Sequence, residues 1–446
     1  MNKKVRKILK GVIFGCLAIV IIEAIAILIM YVSRERSNEY VDVLYDVTKD
    51  DSGYIAVGVS NFDDSDFVEK KTYEYTDMVS KNRNKSNIVV LQSKIAKYDN
   101  DYNLIWEQTF DNKYDSTLYS VLPVSDGYIA VGSYVEKYKQ IDSKCRTGLI
   151  VKFDKDGKEV WHKDYSVLSD TELFKIIPDD DNFVIIGQSI YENLEVGTHV
   201  TGGGIILRIN SEGEVLAENN YGGNKSGIFN DILKVDDGYI VCGKDATNYG
   251  VLVKFKKDFD REEKDVELIS KKVVWQRSYS NTDNEGFKAM TLVNDKIYVV
   301  GAINVSDEKD AKGNTVFKYD AGLVIYNKNG KYLGKASIQD ENHHRFISVN
   351  QKDDKLLLIA NTNVSDDLSK KNNNSILMSY SLSGDQSLDN KSKFTKVKDL
   401  SEETNYIINK VYEDKEANKK VCIGTENTKC GTLGCEYHPI IKTCEE

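Results

Sequence analysis

One phrase recurs along the chain, and its period restricts the fold more than any other feature. It is clearest from Tyr128 to Tyr165. An apolar strand, Tyr128-Ile129-Ala130-Val131-Gly132, is followed by a polar loop and a second strand, Gly148 to Phe153. The turn Asp154-Lys155-Asp156-Gly157 then leads into a third strand, Glu159 to Tyr165. Equivalents of the first strand begin at Tyr54, Tyr128, Phe183, Tyr239, Ile297, Leu356 and Val421. Six copies close on glycine, at Gly58, Gly132, Gly187, Gly243, Gly301 and Gly424; the sixth in order has Ala360 instead. An alternating segment precedes each copy, as in Leu118-Tyr119-Ser120-Val121-Leu122, so each repeat reads as four strands.

A lone four-stranded sheet cannot bury both faces, whereas one packed radially between two neighbours can. The expected fold is therefore all-β, a β-propeller of seven four-stranded blades. The turn before the last strand of each repeat supports this. It recurs at Asp99, Asp154, Asn210 and Asn327, residue types that bond their own backbone in turns. Trp106, Trp161 and Trp275 all stand just beyond it, which marks them as repeated packing positions. The seventh repeat is incomplete and lacks a fourth strand, so how the ring closes stays open at this point.

The N-terminus follows different rules. Five basic residues, Lys3, Lys4, Arg6, Lys7 and Lys10, form a head over residues 1–10. An apolar run follows over 11–32, broken only by Glu23; at about 1.5 Å per residue it spans roughly 33 Å, enough to cross a hydrocarbon core. Only Arg34 and Arg36 flank its far side, so the positive-inside rule predicts a cytoplasmic head and an extracellular domain over 40–446, joined by a neck over 33–39. The run is too long for the apolar region of a cleaved signal peptide, and too little of it precedes Cys16 for a lipoprotein signal. Glu23, costly in a bilayer when charged, would serve a partner helix if the chain were a structural subunit of a membrane complex.

Formal net charge is −10, and residues 1–36 alone carry seven basic and two acidic side chains. The remainder is therefore strongly acidic, which argues against nucleic acid as a partner. Cys422, Cys430, Cys435 and Cys444 crowd the C-terminal end, where an exported domain would hold them as disulfides instead of a zinc site, whose paired C-x₂-C spacing is missing; of three possible connectivities the expected one pairs Cys430 with Cys435 and Cys422 with Cys444.

No catalytic or metal signature stands out. His343 and His344 are adjacent and would face opposite ways in a strand, and no nucleophile elbow or His-Glu-x-x-His occurs. Asp154, Asp156 and Gly157 look like a fragment of a calcium loop, but the remaining ligands are missing. No cofactor is expected, with calcium the one alternative. The insertion after Gly58 is the longest, and its cluster Asp63, Asp64, Asp66 is a candidate partner-binding loop.

The repeat phrases Asp126 to Gly132 and Gly148 to Tyr165 resemble those of bacterial membrane-anchored surface β-propellers, and the stretch Asp154 to Trp161 is similar to the structural Asp-box of sialidase-like propellers, without its leading serine and the threonine before the tryptophan. That resemblance implies a cell-surface setting. Together these readings give a membrane-anchored binding module for protein or glycan, with a channel-based hydrolase acting on surface glycan or peptide as the alternative. Protease added to wall-stripped cells is expected to degrade the repeat domain and spare residues 1–10, as read by antibodies to each end; survival of the repeat domain overturns the orientation.

Overall fold

The structure is a computed structural model. It describes residues 41–61, 70–76, 83–89, 91–110, 115–140, 143–166, 170–193, 198–221, 227–245, 247, 249–259, 272–309, 315–338, 344–362, 374–382, 394–400, 405–431 and 434–444, with backbone alone in 70–89, 136–145, 190–202, 307–318 and 427–436. The basic head, the apolar run, the neck, Glu23, Cys16, His343 and the cluster Asp63, Asp64, Asp66 lie outside the described residues. Among those described, no helix is long and apolar enough to cross a membrane.

Seven sheets follow one another along the chain. Blade 1 contains β1 (Asp42–Asp50), β2 (Gly53–Ser60), β5 (Gln92–Tyr98) and β6 (Leu104–Phe110), with a separate hairpin, β3 (Lys70–Thr76) and β4 (Arg83–Val89), inserted between β2 and β5. Blade 2 is β7 (Ser116–Val124), β8 (Gly127–Gln140), β9 (Ser143–Phe153) and β10 (Glu159–Tyr165). Blade 3 is β11 (Asp170–Asp179), β12 (Asn182–Asn193), β13 (Thr198–Ile209) and β14 (Val215–Tyr221). Blade 4 is β15 (Ile228–Val235), β16 (Gly238–Lys244), β17 (Gly250–Lys256) and β18 (Val273–Tyr279). Blade 5 is β19 (Thr282–Val293), β20 (Lys296–Lys309), β21 (Thr315–Asn327) and β22 (Tyr332–Ser337). Blade 6 is β23 (His344–Lys352), β24 (Lys355–Thr362), β25 (Asn374–Ser381) and β26 (Phe394–Asp399). Blade 7 has three strands, β27 (Asn405–Asp414), β28 (Lys419–Gly431) and β29 (Gly434–Thr443). The all-β propeller expected from the repeat is thus the fold, and the long insertion of blade 1, expected as a loop, contains a paired hairpin.

Burial follows position in the blade. Every residue of β2 and β5 is buried, because both faces of a middle strand meet a neighbouring blade. The outermost strands β6 and β10 are mostly exposed. Seven apolar clusters fill the seven gaps between blades. Leu118, Val121 and Tyr128 pack on Ile55 and Val57 between blades 1 and 2; Val421 and Ile423 pack on Leu44, Tyr54 and Ala56 between blades 7 and 1.

The closing glycines have a specific cause. Each first strand carries a β-bulge, and the register slips at the same point in all seven blades: after Leu44, Leu118, Leu173, Phe229, Phe287, Phe346 and Ile408. Those residues pair with Gly58, Gly132, Gly187, Gly243, Gly301, Ala360 and Gly424. A Cβ on Gly132 would overlap the Thr117 carbonyl oxygen, and one on Gly58 that of Val43. The bulge draws the two backbones together, so the position opposite it takes glycine in six blades and nothing larger than alanine in the other.

The tryptophans tie blade to blade. A Cβ on Gly157 of blade 2 would strike the Trp106 ring of blade 1; one on Gly213 of blade 3 would lie 2.6 Å from Trp161 of blade 2. Gly330 of blade 5 stands in the same relation to Trp275 of blade 4. Gly157 also has φ +78°, the left-handed region that favours glycine. A second tie joins the tyrosine that opens a blade's second strand to an aspartate of the blade before. Tyr128 donates to Asp50 at 2.6 Å, and Tyr54 donates to Asp414 at 2.6 Å.

The second of those ties crosses the seam between the last blade and the first. There, Asn409 Nδ2 donates to the Leu44 carbonyl at 2.9 Å, and Val41 bridges Tyr437 of β29 in parallel. The incomplete blade is therefore met by the residue that leads into β1. Cys422 and Cys444 form the expected disulfide, which fastens β28 to the chain just after β29. Cys430 and Cys435 are register partners across the same hairpin, with side chains outside the description.

Gly132→Ala is expected to cost on the order of 2–4 kcal/mol in chemical denaturation, because the carbonyl it meets is fixed by the bulge. Ala360→Gly, which restores the common residue, should change stability by under about 1 kcal/mol. Equal effects at both positions would remove the bulge explanation.

Candidate functional site

The seven first strands surround a central channel of about 740 Å³. The bulge residues project into it as a ring. In blades 1 to 3 these are Tyr45, Tyr119 and Phe174, whose neighbouring ring centroids lie 5.6 and 5.2 Å apart. Across the channel stand Asn230, Lys288 and Asn409. Asn230 Nδ2 donates to the Phe287 carbonyl of the next blade at 2.7 Å, as Asn409 does across the seam. The ring thus links blades as well as lining the channel.

The next residue of each strand forms a second layer, which includes Asp46, Ser120, Lys175, Asp231 and Lys410. Asp46 Oδ2 accepts from Ser120 Oγ at 2.6 Å and from the Val121 N–H at 3.2 Å. Asp231 Oδ2 accepts from the Met290 N–H at 2.8 Å. Both carboxylates therefore brace the following blade. Lys175 pairs with Asp231, and Lys410 lies 3.6 Å from Asp46.

One mouth of the channel holds a denser cluster. Arg345 Nε donates to Asp283 Oδ2 at 2.9 Å, and its NH1 donates to Glu285 Oε1 at 2.6 Å. Lys288 also pairs with Glu285. Burial pushes the Asp283 carboxyl up despite Arg345. Burial acts the same way on Glu285, but Lys288 and Arg345 outweigh it and hold that carboxyl low. Glu285 and Arg345 line the channel. A matching group sits near blades 2 and 3, where Glu172 accepts from Tyr119 at 3.2 Å and from Gln188 at 2.5 Å.

The two ends of the channel differ. First strands begin, and second strands end, on the face that carries the connection from second to third strand. β8 and β9 run past the ring to Gln140 and Ser143, β12 and β13 to Asn193 and Thr198, β20 and β21 to Lys309 and Thr315. β28, β29 and the extra hairpin β3–β4 belong to the same face. The opposite face carries short turns such as Asp50–Gly53 and Asp154–Lys158, with longer connections in blade 4, from Lys256 to Val273, and in blade 6, from Ser381 to Phe394.

The residues singled out in the sequence fall elsewhere. Asp154 Oδ1 accepts the N–H groups of Asp156 at 3.0 Å and Lys158 at 2.9 Å, so it shapes its own turn. Trp106, Trp161, Trp275 and Gly157 are packing positions between blades. His162 lies 2.6 Å from Glu159 on the exposed strand β10, and His344 is buried at the head of β23. The channel residues Tyr45, Tyr119, Phe174, Asp283, Glu285, Lys288 and Arg345 were not anticipated. For Tyr45, Tyr119, Phe174 and Lys288 the one signal is a position nine residues ahead of Tyr54, Tyr128, Phe183 and Ile297, where the repeated phrase begins; Asp283, Glu285 and Arg345 share no such spacing.

No family model and no curated protein matches the chain. Solved structures similar to it include a puromycin-hydrolyzing peptidase of Mycobacterium tuberculosis, with 6% identity, 88% of this chain and 59% of that chain covered, and TM-score 0.37. A luciferin-regenerating enzyme has 13% identity, coverages of 72% and 88%, and TM-score 0.33. A Bombyx mori GH32 β-fructofuranosidase has 9% identity, coverages of 91% and 89%, and TM-score 0.31. Likenesses this slight carry no argument about chemistry.

Asp50, the partner of Tyr128, supplies a pH prediction. Burial alone would raise its carboxyl, but Lys97, Tyr128 and the Ser52 N–H hold it down at about 2. A carboxyl depressed on folding stabilises the fold above its unfolded value near pH 4 and loses that contribution as pH falls toward 2. Asp50→Asn should remove about 1–2 kcal/mol of this acid-side dependence, read from urea midpoints across that window. An unchanged pH profile in the variant rejects the tie.

Proposed function

We propose that this chain is a single-pass, membrane-anchored extracellular propeller that works by binding a protein or glycan through its hairpin-bearing face. The observation that carries this reading is the asymmetry of the two faces: strand pairs continue past the ring as hairpins on one, and among the described residues none does so on the other. A rigid ring holding variable connections at one end suits recognition. The channel fits it less well as a reaction centre, because its inward carboxylates Asp46 and Asp231 bond backbone N–H groups of the next blade. The basic head and the apolar run over 11–32 support the anchor and its orientation. Neither nucleic acid nor a cofactor is part of this reading.

A hydrolase acting on surface glycan or peptide is the second reading, favoured by one observation. Asp283 and Glu285 are neighbouring carboxyls pushed in opposite directions, an arrangement suited to acid and base roles. Against it, Arg345 engages both carboxylates, and of the two only Glu285 lines the channel.

The test compares two variants of the full chain, one with residues 136–145 replaced by a two-residue turn and one carrying Glu285→Gln. Captures from surface fractions are compared with those of the parent. Binding by the hairpin face predicts at least about a tenfold loss of the captured partner in the first variant and none in the second, the scale expected for a central contact. Capture lost only in Glu285→Gln, or nothing enriched by the parent chain, overturns it.

A further inference from the structure

The described chain begins at Val41, and its place in the ring has a consequence for the direction in which the propeller faces. The Asn61 N–H donates to the Val41 carbonyl at 3.0 Å, and the Val41 N–H donates to Asn61 Oδ1 at 3.0 Å. Asn61 directly follows β2, at the root of the blade 1 insertion. Val41 also bridges Tyr437, close to the end of β29 that adjoins the blade 7 hairpin turn. The chain therefore enters the ring on the face that bears the long hairpins.

Eight residues, 33–40, separate the apolar run from Val41. Even fully extended they reach about 29 Å. In blade 2 the hairpin continues past the ring from Ser133 to Gln140, about 23 Å of strand if straight. Neck and hairpin have comparable reach and start from the same face. A neck of this length cannot pass around the ring and leave that face pointing outward, since β1 from Asp42 to Asp50 alone spans roughly 26 Å and the path would also cross the four strands of a blade, about 14 Å more.

Resting on the anchored reading above, we infer that the hairpin face and its channel mouth are turned toward the membrane, and that the partner is a protein standing in that same membrane. A lipid surface fits less well. Anionic lipid calls for basic excess, and the blade 1 insertion over 62–91 has six acidic and five basic residues. Interspersed charge of both signs instead suits complementary pairing with a protein surface. A polymer or cell approaching from outside would meet the opposite face.

The full chain, reconstituted in vesicles containing a headgroup-labelled acceptor lipid, tests the orientation. A fluorescent amino acid is placed at Gln140 or at Lys155, at opposite ends of β9. Energy transfer to the acceptor should be at least about twofold more efficient from position 140, given roughly 33 Å between the ends. Equal or reversed transfer overturns the orientation, while failure of the chain to sediment with vesicles overturns the anchor itself. In cells, a photo-crosslinking amino acid at position 140 should yield adducts to a protein that has its own membrane span, and position 155 should not. Adducts confined to lipid, glycan polymer or soluble protein overturn the partner class.

Discussion

The ring depends on a backbone contact repeated seven times. Each first strand bulges at one residue, and in six blades the strand beside it has glycine at the facing position, so that the carbonyl can approach. The bulge increases local twist and turns one extra side chain into the channel. It also moves the following residue to where it can bond the next blade, as Asp46 does to Val121 and Asp231 to Met290. Strand twist, channel lining and blade-to-blade register thus follow from a single irregularity. Blade 6 keeps the bulge with Ala360 opposite it, so the contact tolerates one methyl where its surroundings give way.

Much of the fold was legible because its signals are local. An Asp or Asn that bonds its own turn declares itself within five residues, and a tryptophan placed just beyond it reports a packing position of the same period. What those signals could not show is reach across the ring. Trp106 rests on a glycine of the next blade, which only the folded ring reveals. Lys175 and Asp231 are 56 residues apart, and each is an ordinary charged strand residue when read alone. The cluster of Arg345, Asp283 and Glu285 was invisible for the same reason. Tyr45, Tyr119 and Phe174 share no residue type with Asn230 or Lys288, so the bulge ring has a constant spacing but no residue signature. Crowding marked Cys422 and Cys444 as disulfide cysteines, but their pairing with each other was one of three connectivities it allowed, and the fold decides it by bringing the end of β29 beside β28.

The charges of the channel explain why a strongly acidic chain can have a mixed interior passage. Asp46, Asp231 and Glu285 each meet a lysine or arginine, and the first two also meet backbone N–H groups. Buried carboxylates are tolerated where such partners replace water. The excess negative charge is carried outside the channel, where solvent screens it.

The point at which the chain enters the ring has a mechanical meaning. Val41 leads straight into β1, which lies against β2 along a ladder from Asp42–Ser60 to Asp50–Gly53. A pull on the chain ahead of Val41 acts along the axis of β1. It loads the rungs of that ladder together, in shear, instead of opening them one at a time. The bulge at Tyr45 adds a catch, because sliding β1 lengthwise would drag that ring past Tyr119. A propeller tethered in this way would bear tension at its seam through a strand held by its ladder to β2 and by its bulge.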